Sequence, residues 1–118
     1  MAAQRRFVIL THDHPTLHWD LMLEDAGTLR TWRLPATPAT GAIDAEALPD
    51  HRLAYLAYEG PVSGNRGTVQ RFDAGFYQMV AQTNDRLELN LDGGSLRGHL
   101  LLERTAGAHW RSTWTLQS

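Results

Sequence analysis

The segment His12–Glu24 carries three of the six histidines of the chain and a run of alternating polarity. Because a strand has a period of two, His18 and Asp20 are predicted to project from the same strand face. Neighbours on one face lie about 6.6 Å apart, and His12 joins them if the chain turns back at Pro15. Two imidazoles and one carboxylate suit a divalent transition ion and leave positions open for water or substrate. We therefore predict a metal site at His12, His18 and Asp20.

These residue types also have an ordinary explanation, in which the histidines near a turn are exposed to solvent and Asp20 pairs with an arginine. A second pair, His51 and Tyr55, is four residues apart in a strand-like run, which predicts that both lie on one face. Such a histidine can protonate a leaving oxygen, and such a tyrosine can hold a neighbouring phosphate or water. Alone, the pair is better explained by a core tyrosine and a histidine at a loop edge. Only the combination with the metal set indicates a catalytic site.

A phosphate-binding loop is a further hypothesis, based on the segment Gly64–Gly67. Its glycines would let backbone N–H groups approach an anion, and Arg66 could bind that anion with two hydrogen bonds. A plain hairpin loop explains the same four residues.

The amino-acid composition excludes several kinds of catalytic chemistry. The 118 residues suit one domain, residues 1–118, and include no cysteine and no lysine, since all 11 basic residues are arginine. Thiolate catalysis, cysteine-bound zinc, Schiff-base chemistry and a P-loop lysine are therefore excluded. The net charge of -2 does not indicate a globally basic nucleic-acid binder. No apolar run reaches membrane-spanning length and none resembles a signal peptide, so we expect a cytoplasmic protein without membrane contact.

Short strands with regular turn signals predict an all-β, mainly antiparallel barrel or sandwich. The small-residue segment Pro35–Asp50 is predicted as one long loop, with at most a short helical turn around Asp44–Leu48. The predicted strands are Arg6–Thr11, Leu17–Glu24, Thr28–Leu34, Arg52–Tyr58, Thr68–Phe72, Phe76–Gln82, Arg86–Leu91, Leu96–Glu103 and Trp110–Leu116.

With these residues in place, the chain resembles the 3′-phosphoesterase domain of bacterial ATP-dependent DNA ligase D. The likeness is carried by FVILTHDHPTLHWDLMLE (7–24), GTLRTWRLP (27–35), DHRLAYLAYEG (50–60) and GTVQRFDAG (67–75), with a looser match at 87–104. The H-D-x-x-x-L-H-x-D and D-H-x-L-x-Y signatures are specific as a pair. Together the segments cover nearly the whole chain in order.

The resemblance implies a small closed β-barrel with a surface active-site groove that uses manganese or another divalent transition metal. It implies removal of a 3′-terminal ribonucleoside, and then of the remaining 3′-phosphate, from DNA ends or a primer-template during double-strand break repair. DNA ligase and polymerase repair proteins would be partners. By motif position, His12, His18 and Asp20 correspond to the family's metal ligands, and His51 and Tyr55 to its essential residues at the scissile phosphate.

Three positions depart from the family pattern. Met22, on the predicted face of His18 and Asp20, replaces an arginine, Ala36 replaces a lysine, and Thr16 stands where an arginine is common. The metal set is complete while contacts to the substrate phosphate are fewer. We expect the edge of the metal site at Met22 to lack a donor, unless Arg66 or another arginine reaches in.

Two alternatives remain open. The chain could be a module that keeps the metal and binds nucleic-acid ends or a phosphorylated ligand without turnover, as the substitutions at Met22 and Ala36 suggest. It could also be a cupin-type non-haem iron oxygenase, since H-x-D followed by a later histidine is also a facial triad.

Overall fold

The computed structural model describes residues 4–117, so residues 1–3 and 118 of the predicted domain lie outside the described residues. Within that range no helix is both long enough and apolar enough to cross a membrane. The only helical element described is a 3₁₀ helix at Leu53–Leu56. The strands are β1 (Arg5–His12), β2 (His18–Asp25), β3 (Thr28–Leu34), β4 (Gly41–His51), β5 (Gly60–Pro61), β6 (Thr68–Thr83), β7 (Arg86–Gly93), β8 (Arg97–Ala106) and β9 (His109–Leu116).

The sheet closes on itself. Its order is β1-β2-β3-β4-β9-β8-β7-β6, every neighbouring pair is antiparallel, and β6 pairs back with β1. The two-residue strand β5 adds to the N-terminal end of β6. The predicted all-β, antiparallel closed barrel is therefore confirmed. The closed barrel has eight strands, and side chains can fill the interior of a barrel of this size completely.

Two apolar clusters lie on opposite sides of the barrel wall. The interior cluster contains alternate residues of β1 and β2, including Phe7, Ile9 and Leu21, and Trp19 packs against it. The second cluster, called the outer cluster, contains residues that point to the opposite face of these strands. Its members, in chain order, are Val8, Leu10, Met22, Leu29, Leu56 and Val69. The 3₁₀ helix covers this outer cluster through Leu56, so β1 to β3 are buried on both faces.

The long loop predicted at Pro35–Asp50 is wrong from Gly41 onward, as is the helical turn at Asp44–Leu48, because β4 begins at Gly41. Residues 35–40 form a loop as predicted. Alanines at alternate positions, among them the buried Ala45, face the interior cluster while Asp44 and Glu46 are exposed. Alanine and acidic residues have low β-propensity, and pairing with β3 and β9 overrides it. Pro49 fits because the β3–β4 register shifts at that point.

The strand predicted at Arg52–Tyr58 is also wrong. The chain leaves β4 at His51 and forms the 3₁₀ helix, in which Leu53 is exposed and Leu56 is buried. The mixed pattern of leucine, alanine and tyrosine fits one short helical turn that places a single side chain on the outer cluster.

The strands predicted separately at Thr68–Phe72 and Phe76–Gln82 are one continuous strand, β6, without a turn between them. The carboxylate of Asp73 accepts hydrogen bonds from the backbone N–H groups of Ser95 (3.1 Å) and Leu96 (2.8 Å), so this polar residue is satisfied inside a strand. At Gly75 a Cβ would overlap the carbonyl oxygen of Asp92. This glycine therefore serves a close backbone approach rather than a turn.

Candidate metal centre

The hairpin of β1 and β2 assembles the predicted metal ligands. His12 and His18 are directly opposite in the ladder, and Asp20 follows two residues along the same face as His18. One ligand atom from each of the three residues lies within 4.8 Å of the others. His18 and Asp20 are only 4% and 3% exposed, so two of the three ligand candidates are buried.

His18 is oriented by the main chain of the turn. Its Nδ1 lies 2.9 Å from the carbonyl oxygen of Thr16, an acceptor, so this nitrogen carries the proton and donates it. The lone pair of the neutral ring is then on Nε2, which is 3.3 Å from Oδ1 of Asp20. Both of these facing atoms are buried and have no hydrogen-bond partner within residues 4–117.

His12 is oriented in the same way by a different loop. Its Nε2 lies 2.7 Å from the carbonyl oxygen of Arg66, which leaves the lone pair on Nδ1. That nitrogen is 3.7 Å from Oδ2 of Asp20. In the neutral rings, both histidines thus turn a lone pair toward the same carboxylate.

A divalent cation fits this arrangement. Two nitrogen lone pairs and a carboxylate that face one another repel, and buried polar atoms without partners cost free energy. A cation between them would bind all three, and a donor set of two imidazoles and a carboxylate suits a transition ion. The backbone carbonyls of Thr16 and Arg66 supply the outer contacts that fix ring orientation at such sites.

The loop that carries Arg66 is locked onto the histidine turn. The backbone N–H of Thr68 donates a 2.7 Å hydrogen bond to Oδ1 of Asp13. Between these anchors, Gly67 has φ of +81°, and a Cβ there would overlap Asp13 and lie 2.6 Å from Cβ of His14. The position of the carbonyl that orients His12 therefore depends on a glycine at this point.

Gly67→Ala should lower the free energy of unfolding by about 1–3 kcal/mol, because it combines a strained φ with steric overlap. It should also weaken manganese binding, since the Arg66 carbonyl must move away from His12. Gly27→Ala is the matched control, because Gly27 has φ of +85° but nothing within 4 Å of the added Cβ. Denaturant midpoints and calorimetric titration measure both effects. Equal manganese affinity in the two variants would contradict the orienting role.

His51 and Tyr55 do come together, although not on one strand. His51 ends β4 and Tyr55 lies in the 3₁₀ helix, with ring centroids 5.6 Å apart and planes at 74°. Nδ1 of His51 is 3.0 Å from the carbonyl oxygen of Pro49, an acceptor, so Nδ1 donates and Nε2 is the nitrogen left to exchange a proton. Tyr55 packs against the outer cluster.

The pairing of β2, β3 and β4 gives the spacing along the strands between the metal-ligand candidates and the pair formed by His51 and Tyr55. His51 is opposite Leu29 on β3, whereas Asp20 is opposite Arg33, four residues further along that strand. This corresponds to about 13 Å along the strand direction. Met22 occupies the face between them, one step along β2 from Asp20.

Met22 shares the face of His18 and Asp20, as predicted, but it is only 1% exposed and belongs to the outer cluster. We expected an edge position open to substrate, and its burial corrects that expectation. The side chain is therefore a member of the outer apolar cluster and is closed to solvent.

The side chain of Arg66 is turned back onto its own loop. Its Nε donates to the carbonyl oxygen of Ser63 at 2.7 Å, and Nη2 donates to Oγ of the same serine at 3.3 Å. The contact between this residue and the predicted site is made by its backbone carbonyl at His12.

Arg33 is a candidate that the sequence interpretation missed. It lies opposite Asp20 in the β2–β3 ladder and on the same outer face, because Trp32 and Leu34 on either side face the interior. Its guanidinium is 4.0 Å from the exposed carboxylate of Glu46, a pair too exposed to hold it firmly. The signal was present in the sequence, since a two-residue turn at Ala26–Gly27 pairs residue 20 with residue 33.

Comparison with known proteins finds similar sequences over most of the chain. The sequence pattern of the DNA ligase D 3′-phosphoesterase domain matches residues 10–104. A multifunctional non-homologous end joining protein LigD of Mycobacterium bovis is 32% identical over 114 residues, which cover 88% of this chain and 15% of that protein. The LigD protein of Pseudomonas aeruginosa is 32% identical over 122 residues, which cover 94% and 14%. The chain thus spans about 15% of the length of these relatives.

Proposed function

Because the chain belongs to the DNA ligase D 3′-phosphoesterase domain family, we propose that it is a manganese-dependent phosphoesterase of DNA 3′ ends. It would remove a 3′-terminal ribonucleoside, a 3′-phosphate or both, and so prepare ends for joining in DNA repair. The observation that carries the proposal is the set of two oriented imidazoles around one buried carboxylate.

His12, His18 and Asp20 would hold the ion. When bound, a divalent cation supplies positive charge that polarises a phosphoryl oxygen and lowers the pKa of water. The remaining chemistry falls to side chains of the chain itself.

His51 and Tyr55 would act at the phosphoryl group, which we place between this pair and the metal-ligand candidates. With Nδ1 held on Pro49, a protonated His51 can donate from Nε2 to the leaving oxygen. The hydroxyl group of Tyr55 can donate a hydrogen bond to a non-bridging oxygen, where negative charge develops. Both groups stabilise the transition state more than the ground state, because the charge they meet is larger there.

Arginine side chains would complete the contacts to phosphate. Met22 offers no donor, and the guanidinium of Arg66 must leave Ser63 to reach the site. Arg33 starts from the residue opposite Asp20 and gives up only an exposed contact with Glu46. We therefore propose Arg33 as the first cation to contact the phosphate and Arg66 as a second.

Arg33→Ala should reduce kcat/KM on 3′-phosphate ends by about 10- to 100-fold. A hydrogen bond to a charged group contributes about 1.5–3 kcal/mol, and each 1.36 kcal/mol is tenfold in rate. Manganese affinity should not change, because Arg33 is not a ligand. Arg86→Ala removes the same charge from β7, which is not a neighbour of β2 or β3, and should leave the rate unaltered. Steady-state kinetics of the two variants decide whether Arg33 contacts the substrate.

A binding module without turnover is the second candidate. The observation in its favour is Met22, which places a buried apolar group where the family has an arginine. Family membership favours phosphoryl chemistry over the oxygenase that the H-x-D pattern alone allowed.

The direct experiment offers the purified protein a primer-template that ends in a single 3′ ribonucleotide, and another that ends in a 3′-phosphate. We expect manganese-dependent conversion to a 3′-hydroxyl end, with no reaction in chelator or in the Asp20→Asn variant. Manganese-dependent binding of both ends without any product would establish the binding module instead.

A further inference from the structure

A cleft of about 240 Å³ lies beside Tyr55. It is formed where the 3₁₀ helix faces the loop that follows β5. Its lining includes Arg52, Tyr55, Tyr58, Pro61, Val62 and Ser63. None of these belongs to the metal set, and only Tyr55 is part of the proposed catalytic pair.

Two tyrosine rings form one corner of the cleft. The centroids of Tyr55 and Tyr58 are 5.8 Å apart, and their planes meet at 88°. The hydroxyl group of Tyr58 donates to the carbonyl oxygen of Pro61, which fixes the ring relative to the opposite wall. Tyr58 is nevertheless 37% exposed, so part of its surface is free for a ligand.

The cleft is connected to both halves of the proposed active site. The ring centroids of Tyr55 and His51 are 5.6 Å apart, so Tyr55 borders both the cleft and the phosphoryl position proposed above. On the other wall, Ser63 accepts the hydrogen bond of Arg66, whose carbonyl oxygen contacts the metal-ligand candidate His12. A phosphate at the site and a group attached to it in the cleft can therefore be held at the same time.

We propose that this cleft is a nucleoside-binding subsite, which takes the base and sugar of the 3′-terminal nucleotide. Aromatic side chains bind bases of any sequence by stacking, and an exposed guanidinium such as that of Arg52 donates to sugar hydroxyls or to a phosphate. The inference rests on the proposed function, because it assumes that the phosphate of the same nucleotide binds next to His51. It adds a second point of recognition that does not involve the metal.

The test compares ligands that share a phosphate and differ in the base. Manganese-loaded protein is titrated at low temperature, by calorimetry, with a nucleoside 3′-monophosphate and with inorganic phosphate, and product formation is checked. Wild type should bind the nucleoside 3′-monophosphate more tightly than inorganic phosphate. Tyr58→Leu should weaken nucleotide binding by about 5- to 100-fold, the range expected for loss of one stacking contact. Binding of manganese and of inorganic phosphate should remain the same.

Two further variants make the result specific. Tyr58→Phe keeps the ring and loses only the hydrogen bond to Pro61, so it should bind the nucleotide more tightly than Tyr58→Leu. Phe76→Leu removes an exposed aromatic side chain outside the cleft and should have no effect. Nucleotide affinity unchanged in Tyr58→Leu, or lowered equally in Tyr58→Phe, would overturn the subsite. If 3′ ends are processed without dependence on Tyr58, the subsite fails while the proposed function stands. If nucleotide binding depends on Tyr58 but no 3′ end is processed, the subsite stands and the proposed phosphoesterase function fails.

Discussion

Alanine at His12, His18 or Asp20 should each lower manganese affinity by more than about 100-fold, as measured by calorimetric titration. Loss of an outer contact to a metal ligand already costs about 10- to 100-fold, and loss of a direct ligand costs more. The protein without metal should keep its fold. Asp20→Ala removes a buried carboxylate oxygen that has no partner in the described structure, so little native stabilisation is lost with it.

A control variant distinguishes manganese binding at this site from non-specific binding to exposed carboxylates. Asp44→Ala removes an exposed carboxylate from β4 and should leave the titration unchanged. Thermal unfolding with and without manganese should show a stabilising shift in wild type and in Asp44→Ala only. Undiminished binding in any two of the three ligand variants would show that the ion binds elsewhere.

His51→Ala should reduce the rate on 3′-phosphate ends by about 10²- to 10⁴-fold while manganese affinity stays nearly intact. General acid catalysis and charge stabilisation contribute effects of this size, and the ladder places His51 about 13 Å along the strands from the metal set. The loss should appear in kcat, because the proposed contact strengthens in the transition state. Single-turnover kinetics with saturating enzyme measure it directly.

His99 provides the matched control for this variant. It lies on β8, partly buried, with Nε2 2.9 Å from the carboxylate of Glu88. His99→Ala removes an imidazole that already has a partner, outside the candidate site, and should leave the rate unaltered. An unchanged rate in His51→Ala would assign His51 to structure and leave Tyr55 without its proposed partner.

The metal set could be predicted because it is local. His12 and His18 are opposite each other in one hairpin, and the period of two puts Asp20 on the same face. The pair at His51 and Tyr55 was predicted for a reason that does not hold. A change from strand to 3₁₀ helix brings the rings together, and no period in the sequence marks where that change occurs.

The missed strand β4 shows the limit of propensity. Its alanines and acidic residues do not favour a strand, and its stability comes from partners that are far away in sequence on β9. The burial of Met22 has a similar origin, because the cover from Leu56 is a tertiary contact. A signal was present in the unbroken apolar run Phe7–Leu10, since a strand buried on both faces loses its alternation.

The carbonyl groups of Thr16 and Arg66 that orient the two imidazoles have a consequence for divergence within this fold. Main-chain oxygens are the same for every residue type, so either side chain can be exchanged without altering which ring nitrogen faces Asp20. Contacts to a substrate phosphate are made by side chains and have no such protection. Substitution of arginines one at a time can therefore alter the contacts to a substrate while the arrangement of His12, His18 and Asp20 stays the same.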